Sequence, residues 1–279
     1  MQVIIPQKMG FCFGVKRALK LVKDEAKKDK EVYTLGDLIH NPQVVEELKK
    51  EGIKPIADLS QVKKGTIVIR AHGVDPSLKE KAVKKGLKVV DATCPYVLKV
   101  QKIAELISQK SYKIIVVGTA SHPEIIGVTA KINKGKFYVI RTPQEVQKLP
   151  FIKKMGVIVQ TTESLDNFRN IVKDLIKKSE ECRVFNTICE VIKQRQEDAE
   201  NLSAEVEAMI VVGGHNSSNT YQLVKLCRNI GVKTYFIEKE DDLSLTEEKY
   251  KNFNKVGIIG GTSTPKEVLK RVKEKLLSI

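Results

Sequence analysis

Short apolar runs alternate along the whole chain with longer stretches in which apolar residues recur every three or four positions. The short runs are "VIIP", "EVYTLG", "TIVIRA", "LKVVDA", "KIIVVG", "KFYVI", "GVIVQT", "CRVFN", "AMIVVGG", "KTYFI" and "KVGIIGG", and each reads as a strand. Between them the helical period predicts helices over 15–28, 42–51, 76–85, 95–110, 124–132, 165–178, 190–202, 218–230 and 265–277. Strands alternating with helices predict an α/β architecture with mostly parallel sheets.

The pattern also repeats. "TLGDLIHNPQVVEEL", "VVGTASHPEIIGV" and "VVGGHNSSNTYQL" each run from an apolar strand through Gly to His and short polar residues where a helix should begin. A second set, "IVIRAHGVDPSL", "VIVQTTESLDNF" and "GIIGGTSTPKEV", follows the first, and a third carries cysteines: "KVVDATCPYVLKV", "CRVFNTICEVIKQ" and, closing the cycle, "VIIPQKMGFCFGVKRAL". Three slots used three times imply three related α/β lobes. We expect lobe one over 12–95, lobe two over 96–190 and lobe three over 191–279, the last completed by the N-terminal strand 1–11. Ligands of α/β sheets bind beyond the carboxyl ends of strands, so lobes related by a pseudo-threefold axis would turn all nine loops toward one central cavity.

Cys12, Cys94 and Cys189 occupy equivalent slots at helix mouths, where unpaired N–H groups and the helix dipole favour thiolate. Pro95 suits the first helical position, and Gly10 and Gly14 allow close backbone approach around Cys12. Each cysteine taken singly also fits a small buried residue. Cys227, on the apolar stripe of "TYQLVKLCRNI", and Cys182, at the start of a strand, read as structural. Three thiolates without a fourth suit either zinc with an open position or an iron–sulfur cluster with one iron free of protein ligation. Three negative ligands quench zinc as a hydrolytic Lewis acid, which favours the cluster.

All four histidines, 40, 72, 122 and 215, fall in the polar turns. With "NSSN" (216–219), "QTT" (160–162) and "TST" (262–264) they suit a phosphate or diphosphate pocket at helix N-termini, although N-capping alone explains the hydroxyl and amide residues. Glu124 in "SHPE" reads either as a proton donor or as a first-turn acid facing the helix dipole. No nucleotide-binding glycine motif is present, so electrons for a cluster must come from a partner protein.

Composition narrows the partners. The chain has 279 residues, 42% of them apolar, and a formal net charge of +15. Its lysines are interspersed with acids, as in "LVKDEAKKDKE", and aromatics are only 5%, so the charge reads as solvated helix faces and a field for an anionic small substrate rather than a nucleic-acid surface. No apolar run is long enough for a membrane span, the first residues lack a signal-peptide pattern, and five scattered cysteines read as reduced thiols, which together predict a soluble cytoplasmic protein.

The segments "GFCFGVKRA", "IHNPQVV", "RAHGV", "DATCPYV", "SHPEIIG", "VQTTES", "NTIC", "NSSNTYQL" and "GGTSTP", in this order, resemble the LytB family of 4-hydroxy-3-methylbut-2-enyl diphosphate reductases. The resemblance covers essentially the whole chain. It implies a three-lobed α/β trefoil with a central [4Fe–4S] cluster held by Cys12, Cys94 and Cys189, the fourth iron being open to the substrate hydroxyl. It further implies that His40, His72, His122, Thr161, Ser217, Ser218, Asn219 and Ser263 bind the substrate, and that Glu124, Thr161 and His122 serve catalysis. The implied reaction is a two-electron reductive dehydroxylation to isopentenyl and dimethylallyl diphosphate, the last step of the non-mevalonate isoprenoid pathway, with ferredoxin or flavodoxin as donor. The alternative is a zinc-dependent hydrolase of a phosphorylated small molecule. His215 receives no role from the resemblance.

Overall fold

The computed structural model describes residues 1–246 and 250–278; residues 247–249 and Ile279, inside the expected third lobe, lie outside the described residues. In chain order the elements are β1 (Gln2–Ile4), α1 (Phe13–Ala26), β2 (Val32–Leu35), α2 (Pro42–Lys50), β3 (Lys54–Ile56), β4 (Thr66–Ile69), α3 (Pro76–Lys84), β5 (Lys88–Asp91), α4 (Pro95–Gln109), β6 (Lys113–Val117) and α5 (Pro123–Thr129). They continue as β7 (Phe137–Ile140), α6 (Pro143–Val146), β8 (Ile152–Val159), α7 (Leu165–Ile176), β9 (Ser179–Phe185), α8 (Glu190–Ser203), β10 (Ala208–Val212), α9 (Ser218–Ile230), β11 (Lys233–Ile237), β12 (Lys255–Gly260) and α10 (Lys266–Leu277).

The chain divides into two compact units. One, residues 17–39 and 45–189, holds two four-stranded sheets ordered β3-β2-β4-β5 and β7-β6-β8-β9. The other, residues 1–16, 40–44 and from Glu190 on, holds the sheet β1-β12-β10-β11. Every pairing is parallel, as the alternation predicts. The three sheets share one pattern, with the first strand between the second and third and a fourth beyond the third. In the last sheet the fourth place is filled by β1, whose Val3 pairs with Val256.

Burial explains the apolar runs. Ile114, Ile115, Val116 and Val117 of β6 and all of β10 are fully buried, as parallel strands covered on both faces must be. The edge strand β9 instead carries Glu180, Arg183 and other exposed residues. Sequence periodicity missed β3, because Pro55 interrupts it; proline has no N–H and is tolerated there because β3 lies at a sheet edge. It also missed the single turn α6, and α5 stops at Thr129, short of the expected 132.

The lobe pattern recurs in hydrogen bonds. Gly36, Gly118 and Gly213, just past the first strands, donate to Ile56, Ile140 and Ile237 at 2.8, 2.9 and 2.9 Å. Helices also repeat their seats. In one unit Ile107 of α4 lies against Gly156 of β8, and in the other Leu202 of α8 lies against Gly257 of β12. A Cβ on Gly156 would come within 2.6 Å of Ile107 Cγ2, a branch fixed close to the α4 backbone. Among the described residues no helix is long and apolar enough to cross a membrane.

Overpacking of this kind costs about 1–3 kcal/mol, so Gly156→Ala should lower the denaturant midpoint by that amount of stability at unchanged m-value. A shift below about 0.5 kcal/mol, within the range of neutral surface changes, would mean that α4 does not rest on β8.

Candidate functional site

In each sheet a cysteine is tied to the turn that follows the third strand. Cys12 N–H donates to Thr262 O at 3.0 Å, Cys94 N–H to Ala71 O at 2.9 Å and Cys189 N–H to Thr161 O at 3.0 Å. The cysteines sit at helix mouths but do not end strands directly: β5 ends at Asp91, β9 at Phe185 and β1 at Ile4, and a connecting loop leads on to each thiol. Arg17 fixes the loop before Cys94, donating to Thr93 O at 3.1 Å and Asp91 O at 3.4 Å. The Cys12 sulfur accepts from Val15 N–H at 3.5 Å, which caps α1 and starts it at Phe13 rather than at the expected residue 15. Gly10 adopts φ +100° and lies against the methylenes of Lys266, so its freedom serves the turn rather than an approach to a ligand.

No disulfide joins the five cysteines, and Cys12, Cys94 and Cys189 are half-buried. Soft thiols at helix mouths, that of Cys12 already accepting the Val15 N–H, suit the role of iron–sulfur ligands. Among the described residues no three His, Cys, Asp or Glu side chains are grouped to hold a single metal ion. Cys227 is fully buried and Cys182 half-buried, and burial pushes both thiols up, in keeping with structural roles.

Polar turns of one unit gather His72, His122, Glu124 and Thr161. Glu124 is 1% exposed. The Thr161 N–H donates to its Oε1 and the Thr161 hydroxyl to its Oε2, both at 2.7 Å. Burial pushes its pKa from 4.5 up to about 7, against the opposing pull of the two Thr161 hydrogen bonds. It is therefore no solvated first-turn acid. His122 caps α5, with Nδ1 accepting the Glu124 N–H at 3.2 Å, so a neutral ring carries its hydrogen on Nε2 and presents a donor there. The His72 ring meets it edge-on at 5.8 Å. Gln160 fixes the adjoining turn, accepting from Thr119 N–H at 3.0 Å and donating to Thr162 Oγ1 at 2.9 Å. The guanidinium of Arg70 braces the His72 turn through Gly73 O at 3.1 Å.

The other unit gathers His40, Ser217, Ser218, Asn219 and Ser263. Ser217 caps α9 through Thr220 N–H at 3.3 Å, and Ser218 is the first helical residue. Asn219 is 3% exposed, and neither end of its amide has a hydrogen-bond partner among the described residues. Such a group is costly unless a ligand completes it, and its Nδ2 suits a phosphate oxygen. Ser263 Oγ donates to His40 O at 3.1 Å and Ser263 O accepts from Asn41 Nδ2 at 2.9 Å, which pins the His40 turn.

His215 is exposed, its ring packs on Phe236 at 4.3 Å, and its backbone N–H donates to Glu238 Oε1 at 2.8 Å. Sequence reasoning passed over Arg195, a buried arginine of α8, whose one signal was its rarity in a lysine-rich chain.

The LytB protein family matches residues 3–277. A protein of Geotalea uraniireducens (strain Rf4), named 4-hydroxy-3-methylbut-2-enyl diphosphate reductase, is 44% identical over 100% of this chain and 98% of its own length. One of the same name from Geobacter sulfurreducens is 42% identical over 98% of both chains. The solved E-1-hydroxy-2-methyl-but-2-enyl-4-diphosphate reductase of Plasmodium falciparum matches with a TM-score of 0.93 at 30% identity, covering 98% of this chain and 87% of that one. A second solved structure, described as (E)-4-hydroxy-3-methyl-but-2-enyl diphosphate reductase, the terminal enzyme of the non-mevalonate pathway, matches with a TM-score of 0.72 at 38% identity over the whole of both chains. With a family match along nearly its entire length and relatives of this identity, the chain belongs to the LytB protein family.

Proposed function

We propose that this chain reduces (E)-4-hydroxy-3-methylbut-2-enyl diphosphate to isopentenyl and dimethylallyl diphosphate, the terminal reaction of the non-mevalonate pathway. The observation that carries the reading is the buried Glu124 carboxyl, held at both oxygens by Thr161, whose own carbonyl takes the Cys189 N–H. Membership in a family of reductases sets aside the zinc-dependent hydrolase. Cys12, Cys94 and Cys189 would hold a [4Fe–4S] cluster, the first two from the edges of the proposed lobe 12–95 and the third from the proposed lobe 96–190; the third proposed lobe, 191–279 with the strand 1–11, supplies no ligand. When bound, that cluster supplies electrons and an iron open to the substrate hydroxyl.

The reaction breaks one C–O bond, forms one C–H bond and consumes two electrons and two protons, releasing water. The chain's own residues supply the rest. His40, His72, His122, Ser217, Ser218, Asn219 and Ser263 bind the diphosphate, and the amide of Asn219 gains the partner it lacks among the described residues. Fixing the diphosphate orients the allylic alcohol, so the barrier falls through positioning. Glu124 holds a proton near neutral pH and passes it through the Thr161 hydroxyl to the departing oxygen, while His122, through its N-cap bond to Glu124 N–H, keeps the carboxyl in place. Electrons come from ferredoxin or flavodoxin. Thiols that must stay reduced and a reduced protein donor suit a cytoplasmic enzyme, and the proposal includes that location.

Under anaerobic conditions, with a chemical reductant replacing the donor, the protein with its cluster loaded should convert the allylic alcohol to the two diphosphates. Glu124→Gln should retain cluster and substrate binding and lose roughly 100- to 10,000-fold in turnover, the usual worth of a general acid. Near-normal turnover would remove Glu124 from proton delivery.

The same carboxyl sets a pH dependence of stability. Its folded pKa lies above the unfolded value, so its contribution is full below pH 4.5 and is lost as pH rises through about 7. The loss amounts to about 3 kcal/mol. Glu124→Gln should remove that decline, which denaturant melts between pH 4 and pH 8 would detect; an identical decline in the variant would show that Glu124 ionises as freely folded as unfolded.

A further inference from the structure

Arg195 lies in α8 and is 3% exposed. Its Nη2 donates to Gly10 O at 2.8 Å, its Nη1 to Gly260 O at 3.0 Å, and Nη1 also touches the sulfur of Met9. Gly10 stands two residues before Cys12, and Gly260 ends β12 two residues before Thr262, the residue that accepts the Cys12 N–H. One guanidinium thus clamps both sides of the backbone that presents Cys12. Among the described residues its hydrogen bonds go to uncharged groups.

Guanidinium stays charged under all ordinary conditions, and a buried charge without an ion-pair partner is strongly penalised. A neutral amide would serve two carbonyls at far less cost in desolvation. What justifies the charge is an anion that the apoprotein holds only in part. Burial pushes the Arg195 pKa down, while Asp198 and then Cys12 pull it back up, so the guanidinium lies within electrostatic reach of the Cys12 sulfur. The potential of an iron–sulfur cluster depends on the charge around it, and adding an electron to a thiolate-ligated cluster makes it more negative.

We infer that Arg195 is a positioning residue for the Cys12 arm and supplies the fixed positive charge that favours the reduced state of the group Cys12 ligates. This rests on the cluster reading above. A cation that stabilises the reduced form raises the potential and lets a weaker donor load the enzyme with electrons.

The test is an EPR-monitored redox titration, with iron and sulfide counts, of anaerobically reconstituted wild type, Arg195→Gln and Arg195→Lys. Absence of a cluster in the wild type would overturn the cluster reading itself, separately from this inference. With the cluster present in wild type, Arg195→Gln should bind it and show a tenfold or greater fall in the ratio of reduced to oxidised cluster at a fixed potential, about 59 mV in midpoint for one electron. Arg195→Lys, which keeps the charge and loses the two-pronged clamp, should stay within threefold of wild type. Loss of the cluster in Arg195→Gln with retention at wild-type potential in Arg195→Lys would equally support the charge. An unmoved midpoint in Arg195→Gln, or loss of the cluster in both variants, would overturn it and leave Arg195 as a geometric clamp.

Discussion

Three backbone hydrogen bonds organise this protein: the N–H of Cys12, Cys94 and Cys189, each given to the carbonyl of a residue in the turn beyond a third strand. Parallel strands put all their carboxyl ends on one edge of a sheet, and a fourth strand beside the third brings its following loop alongside the third strand's turn. The bond then couples a sulfur-bearing loop to a polar turn. Thr161 shows the coupling at its fullest. Its carbonyl takes the Cys189 N–H while its N–H and hydroxyl hold Glu124, so one residue links a thiol to a proton-holding carboxyl.

Two ionisable groups, Glu124 and Arg195, run against burial. Glu124 is nearly sealed from water, and its raised pKa lets it keep a proton where an exposed carboxyl would have lost it. That protonated state is bought with stability above neutral pH. Arg195 presents the reverse case, a cation kept charged among carbonyls and a thioether. Both sit on helices that begin at polar turns, α5 after His122 and α8 after Cys189, where a rigid element holds an otherwise costly group in one place.

Much of this was legible in the order of residues. The strand β10 is apolar throughout, and β4, β6 and β12 are apolar after a polar first residue (Thr66, Lys113 and Lys255), because both faces are covered; the three recurring slots anticipated three parallel sheets. The pairing of Glu124 with Thr161 came from the family resemblance and not from periodicity, since it joins turns of β6 and β8 that only the sheet register brings together. Nor could periodicity reveal β3, whose proline is acceptable only at an edge. His215 occupies a histidine slot yet lies on Phe236, because slot equivalence fixes a backbone position and not the direction of a side chain. Arg195 looked like one more base in a basic chain; burial alone separates it from the exposed lysines.

The central claim is that three thiols at helix mouths hold one cluster, and the most direct measurement is iron and acid-labile sulfide per chain in anaerobically purified protein, beside Cys94→Ser. The account predicts about four of each in wild type, as a four-iron cluster requires, and loss of both in the variant. Zinc without sulfide, or a variant with an undiminished cluster, would contradict it.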